Sequence, residues 1–298
     1  MINEISDSLL QTGLLPLAML IFLLLWLAGE IGFRIGAWSE ERRVHPEREV
    51  SGIGTVTAGM FALLAFTLGL TISIAQSRYE ARREMVVLEA NTIGTAWLRA
   101  QAFAAAEGAV IASRIEDYAK VRLAYVTTPS VEGEPALIAR TNALQQEIWQ
   151  HLKPLAQREP TPVTASLIAA LNAMFDASLS NRFAFDGRTP GHLPLMLLAG
   201  AILAIGALGF QIGLSGHRPL MLMALMLAMW TGGLLLIVDL NRPRIGMIQV
   251  NPAPLVWTIE GFDAMPKSET FLRNRSRWKK KAELVGRRRQ SRTEKGYV

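Results

Sequence analysis

Long apolar stretches and strongly charged stretches follow one another along this chain. Charges are almost absent from four segments, which are Gly13–Gly29, Gly52–Ser77, Leu193–Gly216 and Leu220–Val238. Each segment is about long enough to cross ~30 Å of hydrocarbon as a helix rising ~1.5 Å per residue. Buried helices of soluble proteins are usually shorter and keep a polar edge. The pattern therefore predicts four transmembrane helices.

The second apolar segment has no predicted end at the membrane surface. Ser77–Phe103 contains no proline and keeps a helical spacing of apolar residues at Met85, Leu88, Ile93 and Trp97. We therefore expect a single helix that leaves the membrane and continues into a polar domain.

That polar domain has helical patterns at about Ala109–Val126, Pro135–Leu155 and Pro162–Leu179, and no alternating strand pattern of any length. The predicted fold class is an all-α membrane protein with two transmembrane hairpins flanking a polar helical domain. We predict four regions: an N-terminal transmembrane hairpin at 1–77, the polar helical domain at 78–191, a C-terminal transmembrane hairpin at 192–240, and a basic tail at 241–298.

Two pairs of glycines four residues apart lie in or beside the apolar segments. Gly32 and Gly36 follow the first segment, and Gly209 and Gly213 lie in the third. Small residues at this spacing let two membrane helices approach closely. We expect these positions to be helix-packing notches.

The composition argues against an enzyme. The 298 residues include no cysteine, which excludes disulfides, thiol nucleophiles and thiolate metal sites. Four histidines, at 45, 151, 192 and 217, have no metal-ligand spacing. Gly52-Ile53-Gly54 lacks the third glycine of a dinucleotide loop. We expect no catalytic activity, no cofactor and no metal site.

Basic residues near the apolar segments give a weak indication of orientation. Seven lie on the side of the polar domain and both termini: Arg78, Arg82, Arg83, Arg182, Arg188, Arg242 and Arg244. Five lie in the two hairpin loops: Arg34, Arg42, Arg43, Arg48 and Arg218. Because cytoplasmic flanks are enriched in Lys and Arg, the balance favours a multi-pass inner-membrane protein with a cytoplasmic polar domain and termini. The short basic loop at Arg42 and Arg43 is the evidence against it.

The end of the chain is strongly basic. Arg273–Arg292 includes Lys279-Lys280-Lys281 and Arg287-Arg288-Arg289, whereas the net charge of the whole chain is only +6. Two interpretations stay open, namely attraction to anionic lipid and a solvated end without a packed core. We expect no nucleic-acid binding, because no nucleic-acid-binding fold accompanies these clusters.

Three motifs carry a resemblance to a known family. Phe66–Arg99 contains Ala81-Arg82-Arg83 and then Glu89-Ala90-Asn91 and Ile93-Gly94-Thr95-Ala96; the others are Leu171–Asp176 and Asp239–Gly246. Over about Ser51–Val250, the chain resembles the bestrophin-like family of bacterial membrane proteins. That family is distantly related to the bestrophins, which are pentameric ion channels.

The resemblance implies candidate site residues on the second apolar segment. Aligned without gaps, the narrow apolar neck of bestrophins falls on Ala62, Phe66 and Leu70. Residues at i, i+4 and i+8 share one helix face, and a ring of apolar side chains can gate by dewetting. Ordinary helix packing would use the same stripe.

Polar and basic residues would complete the pore. Thr67, Thr71 and Ser73 are candidate wall residues, although a hydroxyl can also bond its own backbone. Arg78, Arg82 and Arg83 are candidates for the pore mouth, where their charges would favour anions.

The sequence also departs from the bestrophin pattern. Tyr79-Glu80 stands where bestrophins have two aromatic residues, and Ala62 is small for a constriction. The acidic calcium-binding segment of animal bestrophins has no match, so we predict no calcium site.

Two functional hypotheses follow. In the first, the chain is an oligomeric ion channel, anion-permeable and lined by the second transmembrane helix, with a pentamer as the resemblance implies. In the second, it is a non-conducting membrane scaffold or sensor that acts through its polar helical domain. The partners expected are the lipid bilayer, ions, further copies of the chain and anionic lipid at the basic tail.

Overall fold

The computed structural model describes residues 13–40, 47–103, 106–129, 133–187 and 192–264. Within these ranges the regular elements are helices: α1 (Leu14–Glu40), α2 (Glu47–Gln101), α3 (Ala106–Thr127), α4 (Glu134–Arg158), α5 (Pro162–Asp186), α6 (His192–Ser215), α7 (Leu220–Leu240) and α8 (Ala253–Ala264). The all-α prediction is confirmed. The loop arginines Arg42 and Arg43, Arg188 and the tail 265–298 lie outside the described residues.

The predicted long helix is confirmed. α2 runs for 55 residues without interruption. The three helical patterns predicted for the polar domain are also present, as α3, α4 and α5, each slightly longer than its pattern. Thr161 caps α5, since its hydroxyl accepts a hydrogen bond of 3.2 Å from the backbone N–H of Thr164.

Five of the described helices are long and apolar enough to cross a membrane, as judged by length and composition. Four of them, α1, α2, α6 and α7, contain the predicted spans. The fifth is α5, the least apolar of the five and the most buried within the structure. The count of four spans therefore stays a prediction.

The chain divides into two compact units. Unit 1 comprises the described residues within 1–82 and 184–250, and unit 2 comprises those within 83–183 and from 251 onward. α2 contributes its first part to unit 1, and its part from Arg83 onward to unit 2.

The core of unit 1 is formed by apolar side chains of its four long helices. Its buried members are Leu17, Ile21 and Leu25 of α1, Leu64 of α2, Leu197, Ala201, Ala204 and Ile205 of α6, and Leu227, Trp230, Leu234 and Ile237 of α7. The rings of Phe61 and Trp230 lie beside this cluster with their centroids 5.9 Å apart. Because every helix contributes to one cluster, this core holds all four together.

α1 and α6 approach each other through their glycines. A Cβ atom added to Gly32 would collide with the carbonyl oxygen of Gly206, and one added to Gly209 would collide with that of Gly29. A Cβ atom on Gly36 would lie only 3.1 Å from the Cα atom of Gly213. The predicted notches therefore pack against one another, backbone against backbone.

The connection between α6 and α7 is short and depends on one glycine. Gly216 follows the last residue of α6 and has a φ of 71°. This left-handed conformation is unfavourable for residues with a Cβ atom. The turn at Gly216 ends α6, and Pro219 is the residue directly before the start of α7.

Unit 2 has its own core. Its fully buried side chains include Ile93 and Trp97 of α2, Ile111, Ile115 and Tyr118 of α3, Leu144, Ile148 and Leu152 of α4, and Leu167, Leu171 and Met174 of α5. The apolar faces predicted for the polar domain are thus buried against each other.

α8 adds a short helix to this unit. The ring of Phe262 stacks on that of Trp97 with a centroid distance of 4.8 Å. The hydroxyl of Thr258 donates a hydrogen bond of 3.4 Å to the carbonyl of Ala90. α8 falls in the range that the sequence assigned to the basic tail, so this part of the range is folded. The region boundaries themselves stay predictions.

Candidate functional site

The first half of α2 packs into unit 1 through a narrow stripe of residues. Thr57, Leu64, Thr71 and Ala75 are buried, and most of the residues between them are exposed. Residues seven apart lie on nearly the same side of a helix with 3.6 residues per turn. One side of α2 therefore contacts the core, and the opposite side is left uncovered in a single chain.

The predicted neck residues lie on that uncovered side. Ala62 is exposed, and the exposed fractions of Phe66 and Leu70 are 64% and 51%. At ~100° per residue, Phe66 lies ~40° from Ala62 around the helix axis and Leu70 lies ~80° away. The three share one broad surface, with Leu70 at its edge.

Small and polar residues fill the rest of this surface, which we call the α2 outer face. Within ~60° of Ala62 around the axis lie further exposed residues, which are Thr55, Ala58, Gly59, Ala65, Gly69, Ser73, Gln76 and Ser77. Phe66 is the one large apolar side chain among them. The surface is thus a shallow strip of small and polar residues with a single bulky apolar position, and the exposed side chains of Val56, Leu63, Leu70 and Ile74 lie along one edge of it.

The exposed surfaces of α1 and α7 have a different composition. On α1 the exposed side chains include Leu15, Met19, Leu20 and Leu23, and on α7 they include Leu220, Met221, Leu222, Leu225 and Met229. Such continuous bulky apolar surfaces suit contact with lipid chains. The α2 outer face does not match them.

The candidate wall threonines bond their own helix. The Thr67 hydroxyl donates to the Leu63 carbonyl at 2.8 Å, and the Thr71 hydroxyl donates to the Thr67 carbonyl at 2.8 Å. Thr71 is buried and Thr67 half-buried, whereas Ser73 is exposed. Of the three candidates, Ser73 is therefore the one that the α2 outer face presents.

Arg82 lies in a position that the sequence did not predict. Its side chain is fully buried, and its guanidinium donates hydrogen bonds to three carbonyl oxygens, of Ala184 at 3.2 Å, Gly187 at 2.8 Å and Leu240 at 2.9 Å. The last carbonyls of a helix have no partner within the helix. Arg82 supplies donors for the ends of α5 and α7.

The other two arginines are placed differently. Arg78 is half-buried, and its Nε atom has no hydrogen-bond partner among the described residues. Arg83 is exposed, and so are Glu80 and Glu84 on the same stretch of α2. The positive charge predicted for the pore mouth is therefore accompanied by two carboxylates.

The motif Asp239–Gly246 forms a turn after α7. The Asp239 carboxylate accepts hydrogen bonds from the backbone N–H groups of Met247 at 2.8 Å and Ile248 at 3.0 Å. A Cβ atom on Gly246 would collide with this carboxylate. Burial lowers the pKa of Arg242, and the charge of Asp239 opposes that shift. The motif residues hold the chain where it leaves α7.

Unit 2 contains a buried ionic cluster that the sequence indicated only in part. The carboxylate of Glu89 accepts hydrogen bonds from Arg122 Nε and from Asn181 Nδ2, and Arg122 Nη2 lies 3.3 Å from its second oxygen. All three residues are buried. Burial works against the charge of Arg122, but the attraction and hydrogen bond of Glu89 prevail and raise its pKa.

Tyrosines surround this cluster. The guanidinium of Arg122 lies 4.3 Å from the ring centroid of Tyr125. Burial, together with the negative charge of Glu89, raises the pKa of Tyr118 to about 12. Glu89 belongs to a recognised motif, whereas Arg122 could have been noticed as a charge on the helix face that also carries Ile115, Tyr118 and Ala119. No group of three or more His, Cys, Asp or Glu residues in the described ranges could hold a metal ion.

Comparison with known proteins agrees with this architecture. The family model of the Bestrophin-like domain matches residues 22–255. No curated protein matches the chain.

Several crystal structures of a bacterial bestrophin homologue from Klebsiella pneumoniae are similar in fold. Two point mutants of that homologue match with TM-scores of 0.59 and 0.60, each at 15% identity, covering 84% and 81% of this chain and 96% of theirs. A structure of the homologue phased on zinc matches with a TM-score of 0.55 at 17% identity, covering 84% of this chain and 95% of the other. Identity at this level shows a shared fold.

The family match covers most of the chain, and it confirms the resemblance carried by the sequence motifs. Family and fold together support a membrane channel in general terms. On this evidence the chain belongs to the bestrophin-like family of membrane proteins.

Proposed function

We propose that the chain forms an oligomeric membrane ion channel whose pore is lined by the α2 outer face. The observation that carries this proposal is the contrast between the exposed surfaces. α1 and α7 expose continuous bulky apolar side chains, whereas the α2 outer face exposes small and polar residues around Phe66, and the exposed apolar residues of α2 (Val56, Leu63, Leu70 and Ile74) lie along one edge of that face. A strip of this kind suits a water-filled path better than a lipid surface.

A pore of this kind requires several copies of the chain. The outer face of one helix cannot enclose a path, and in unit 1 the opposite side of α2 is occupied by the core. Copies arranged around a symmetry axis would bring their α2 outer faces together. The bestrophin relationship suggests five copies.

Phe66 would form the narrowest apolar ring, with Ala62 and Leu70 beside it. Short apolar constrictions can exclude water and so block ions without any physical plug. Ser73 would line the wall on one side of that ring, and Thr67 and Thr71, which bond their own backbone, would contribute packing. Replacing Phe66 with a smaller residue should therefore increase the ion current.

Anion permeability would rest mainly on Arg83, which is exposed and lies ~60° from Ala62 around the helix axis. Arg78 is half-buried and lies ~160° from Ala62, toward the core side of α2, so its charge would act from behind the mouth. Glu80 and Glu84 act against that preference. Arg82 is engaged by three carbonyls, so we assign it to holding helix ends. We further propose an inner-membrane location with the polar domain in the cytoplasm, on the balance of flanking arginines.

Recordings from purified protein in planar bilayers test the channel. Under a potassium chloride gradient, an anion-permeable channel gives a reversal potential near that of chloride. Phe66→Ala should increase the current, and Leu225→Ala should not, because Leu225 is exposed to a similar extent (67%) on the α7 surface. Silence in all salts would favour a non-conducting scaffold, and currents unaltered by Phe66→Ala would count against a pore gated at Phe66.

A further inference from the structure

A cavity in unit 1 lies outside the α2 outer face. It has a volume of about 330 Å³ and lies among α1, α6 and α7. Its apolar walls include Phe22, Trp26 and Phe33 of α1, Ile212 of α6, and Met223 and Leu227 of α7. Small-molecule sites have a similar size and a similar apolar lining.

The position of the cavity in the fold indicates its surroundings. It begins at the α6–α7 turn, where Arg218 and Pro219 line it, and reaches along α7 as far as Leu227. The seven residue steps from Leu220 to Leu227 correspond to ~10 Å of helix. Trp26 and Leu220 line the cavity and are exposed, so it opens on the same apolar surface that suits lipid chains.

The polar end of the cavity carries a net positive charge. Arg218 Nη1 lies 3.6 Å from a carboxylate oxygen of Glu30, and Arg34 Nε lies 2.8 Å from the other oxygen. Two guanidiniums thus share one carboxylate. The Arg218 guanidinium also lies 3.8 Å from the ring centroid of Phe33, which fixes it at the rim. Its side chain is half exposed, so N–H groups remain for a ligand.

We propose that this cavity binds an anionic phospholipid, with part of an acyl chain between α1 and α7 and the headgroup phosphate at Arg218. The apolar walls match the chain, and the excess guanidinium matches the phosphate. A zwitterionic headgroup would bring its own cation to an already positive rim, so a lipid with net negative charge is favoured. This site is independent of the proposed pore.

Quenching of Trp26 fluorescence by brominated lipids measures the occupancy of the site. The full-length protein is reconstituted in bilayers with increasing fractions of brominated phosphatidylglycerol or brominated phosphatidylcholine. The contribution of Trp26 is the difference between the wild type and Trp26→Phe, since the chain has seven tryptophans. The basic segment Arg273–Arg292 is present in every variant, so differences among variants report on this cavity.

Three variants separate the two parts of the site. Arg218→Gln removes the headgroup cation, and Arg218→Lys keeps a charge there. Ala224→Phe fills the cavity that Ala224 lines. Ala228→Phe is its matched control, because Ala228 is also exposed on α7, one turn further on, and does not line the cavity.

We expect phosphatidylglycerol to quench Trp26 at about five-fold lower fraction than phosphatidylcholine, as one interfacial arginine gives. Arg218→Gln should abolish this preference and Arg218→Lys should keep most of it. Ala224→Phe should also abolish the preference, leaving the equal quenching that surrounding lipid gives at exposed Trp26, whereas Ala228→Phe should retain it. Equal quenching by the two lipids, or a preference that survives Arg218→Gln, would overturn the proposal. If Ala224→Phe fails to fold, the two Arg218 variants still decide.

Discussion

The Nη1 atom of Arg82 donates a hydrogen bond of 2.9 Å to the carbonyl oxygen of Leu240, the last residue of α7. A single side chain of α2 therefore satisfies a helix end far away in the sequence. Arg83, its neighbour, is exposed. Two adjacent arginines of one motif thus have different roles, and substitution can separate them.

Replacing Arg82 should destabilise unit 1. Arg82→Met leaves buried carbonyl oxygens without donors, at a cost of about 1–3 kcal/mol for each group left unpaired. Arg82→Lys should recover part of the loss, because an ammonium cannot reach all three carbonyls at once. Thermal unfolding in detergent measures both. Arg83→Met is the control, and an equal loss of stability there would contradict the role assigned to Arg82.

The glycine contact between α1 and α6 predicts opposite effects for two substitutions of the same type. Gly32→Ala should lower the unfolding temperature, because its Cβ atom would meet the backbone of Gly206. Gly232→Ala in α7 should be neutral or stabilising by up to about 1 kcal/mol, since nothing lies within 4 Å of its Cβ position and alanine favours a helix. Equal effects of the two substitutions would show that the close approach does not matter.

The buried cluster in unit 2 should be sensitive to the loss of one partner. Arg122→Met leaves the Glu89 carboxylate buried without its cation, which costs about 3–5 kcal/mol in comparable cases. The double variant with Glu89→Leu should recover a large part of that loss. Arg158→Met breaks the exposed pair with Glu107 and should have little effect. The free energy of unfolding by heat or denaturant is compared for the wild type, Arg122→Met, the double variant and Arg158→Met.

The raised pKa of Tyr118 predicts that the folded protein loses stability in alkali. Its pKa is raised to about 12, whereas the ordinary value is 10.0. The unfolded chain therefore releases this proton at lower pH than the folded chain. Its contribution is fully present below pH ~10 and is lost as the pH rises toward 12, by roughly 2–3 kcal/mol in all.

Tyr118→Phe isolates that contribution from other groups that titrate in alkali. The variant should lose stability less steeply than the wild type between pH 10 and 12, in unfolding curves recorded at a series of pH values. Identical slopes for the two proteins would contradict the raised pKa.

Much of the fold is predictable from local patterns. The length of the apolar segments predicts the spans, and the absence of a break after Ser77 predicts the continuous α2. Glycines four apart predict the contact of α1 with α6, although their spacing alone does not identify the partner helix. These features depend on residues close together in the sequence.

The remaining features depend on distant partners. The local sequence around Arg82 is also what a pore-mouth arginine would have. Only the tertiary structure brings Arg82 to Ala184 and Leu240. Arg122 meets Glu89 in the same way. α8 has only 12 residues and is stabilised by packing against Trp97, so it has little local signal. α5 is apolar enough to span a membrane, but it also packs in unit 2. Composition alone does not distinguish a spanning helix from a core helix of this kind.

A pore lined by the α2 outer face can be probed residue by residue, because the chain contains no cysteine. Single cysteines can be introduced without removing any native thiol. Ser73→Cys and Phe66→Cys lie on the outer face, Ala75→Cys lies in the core, and Leu225→Cys lies on the α7 surface. Each is treated with charged methanethiosulfonates during bilayer recording.

If α2 lines the pore, the reagents should change the current at Ser73→Cys and Phe66→Cys, with opposite directions for cationic and anionic reagents. We expect no change at Ala75→Cys or Leu225→Cys. Current that is unaffected by modification of Ser73→Cys and Phe66→Cys, or equally affected at Leu225→Cys, would contradict a pore lined by α2.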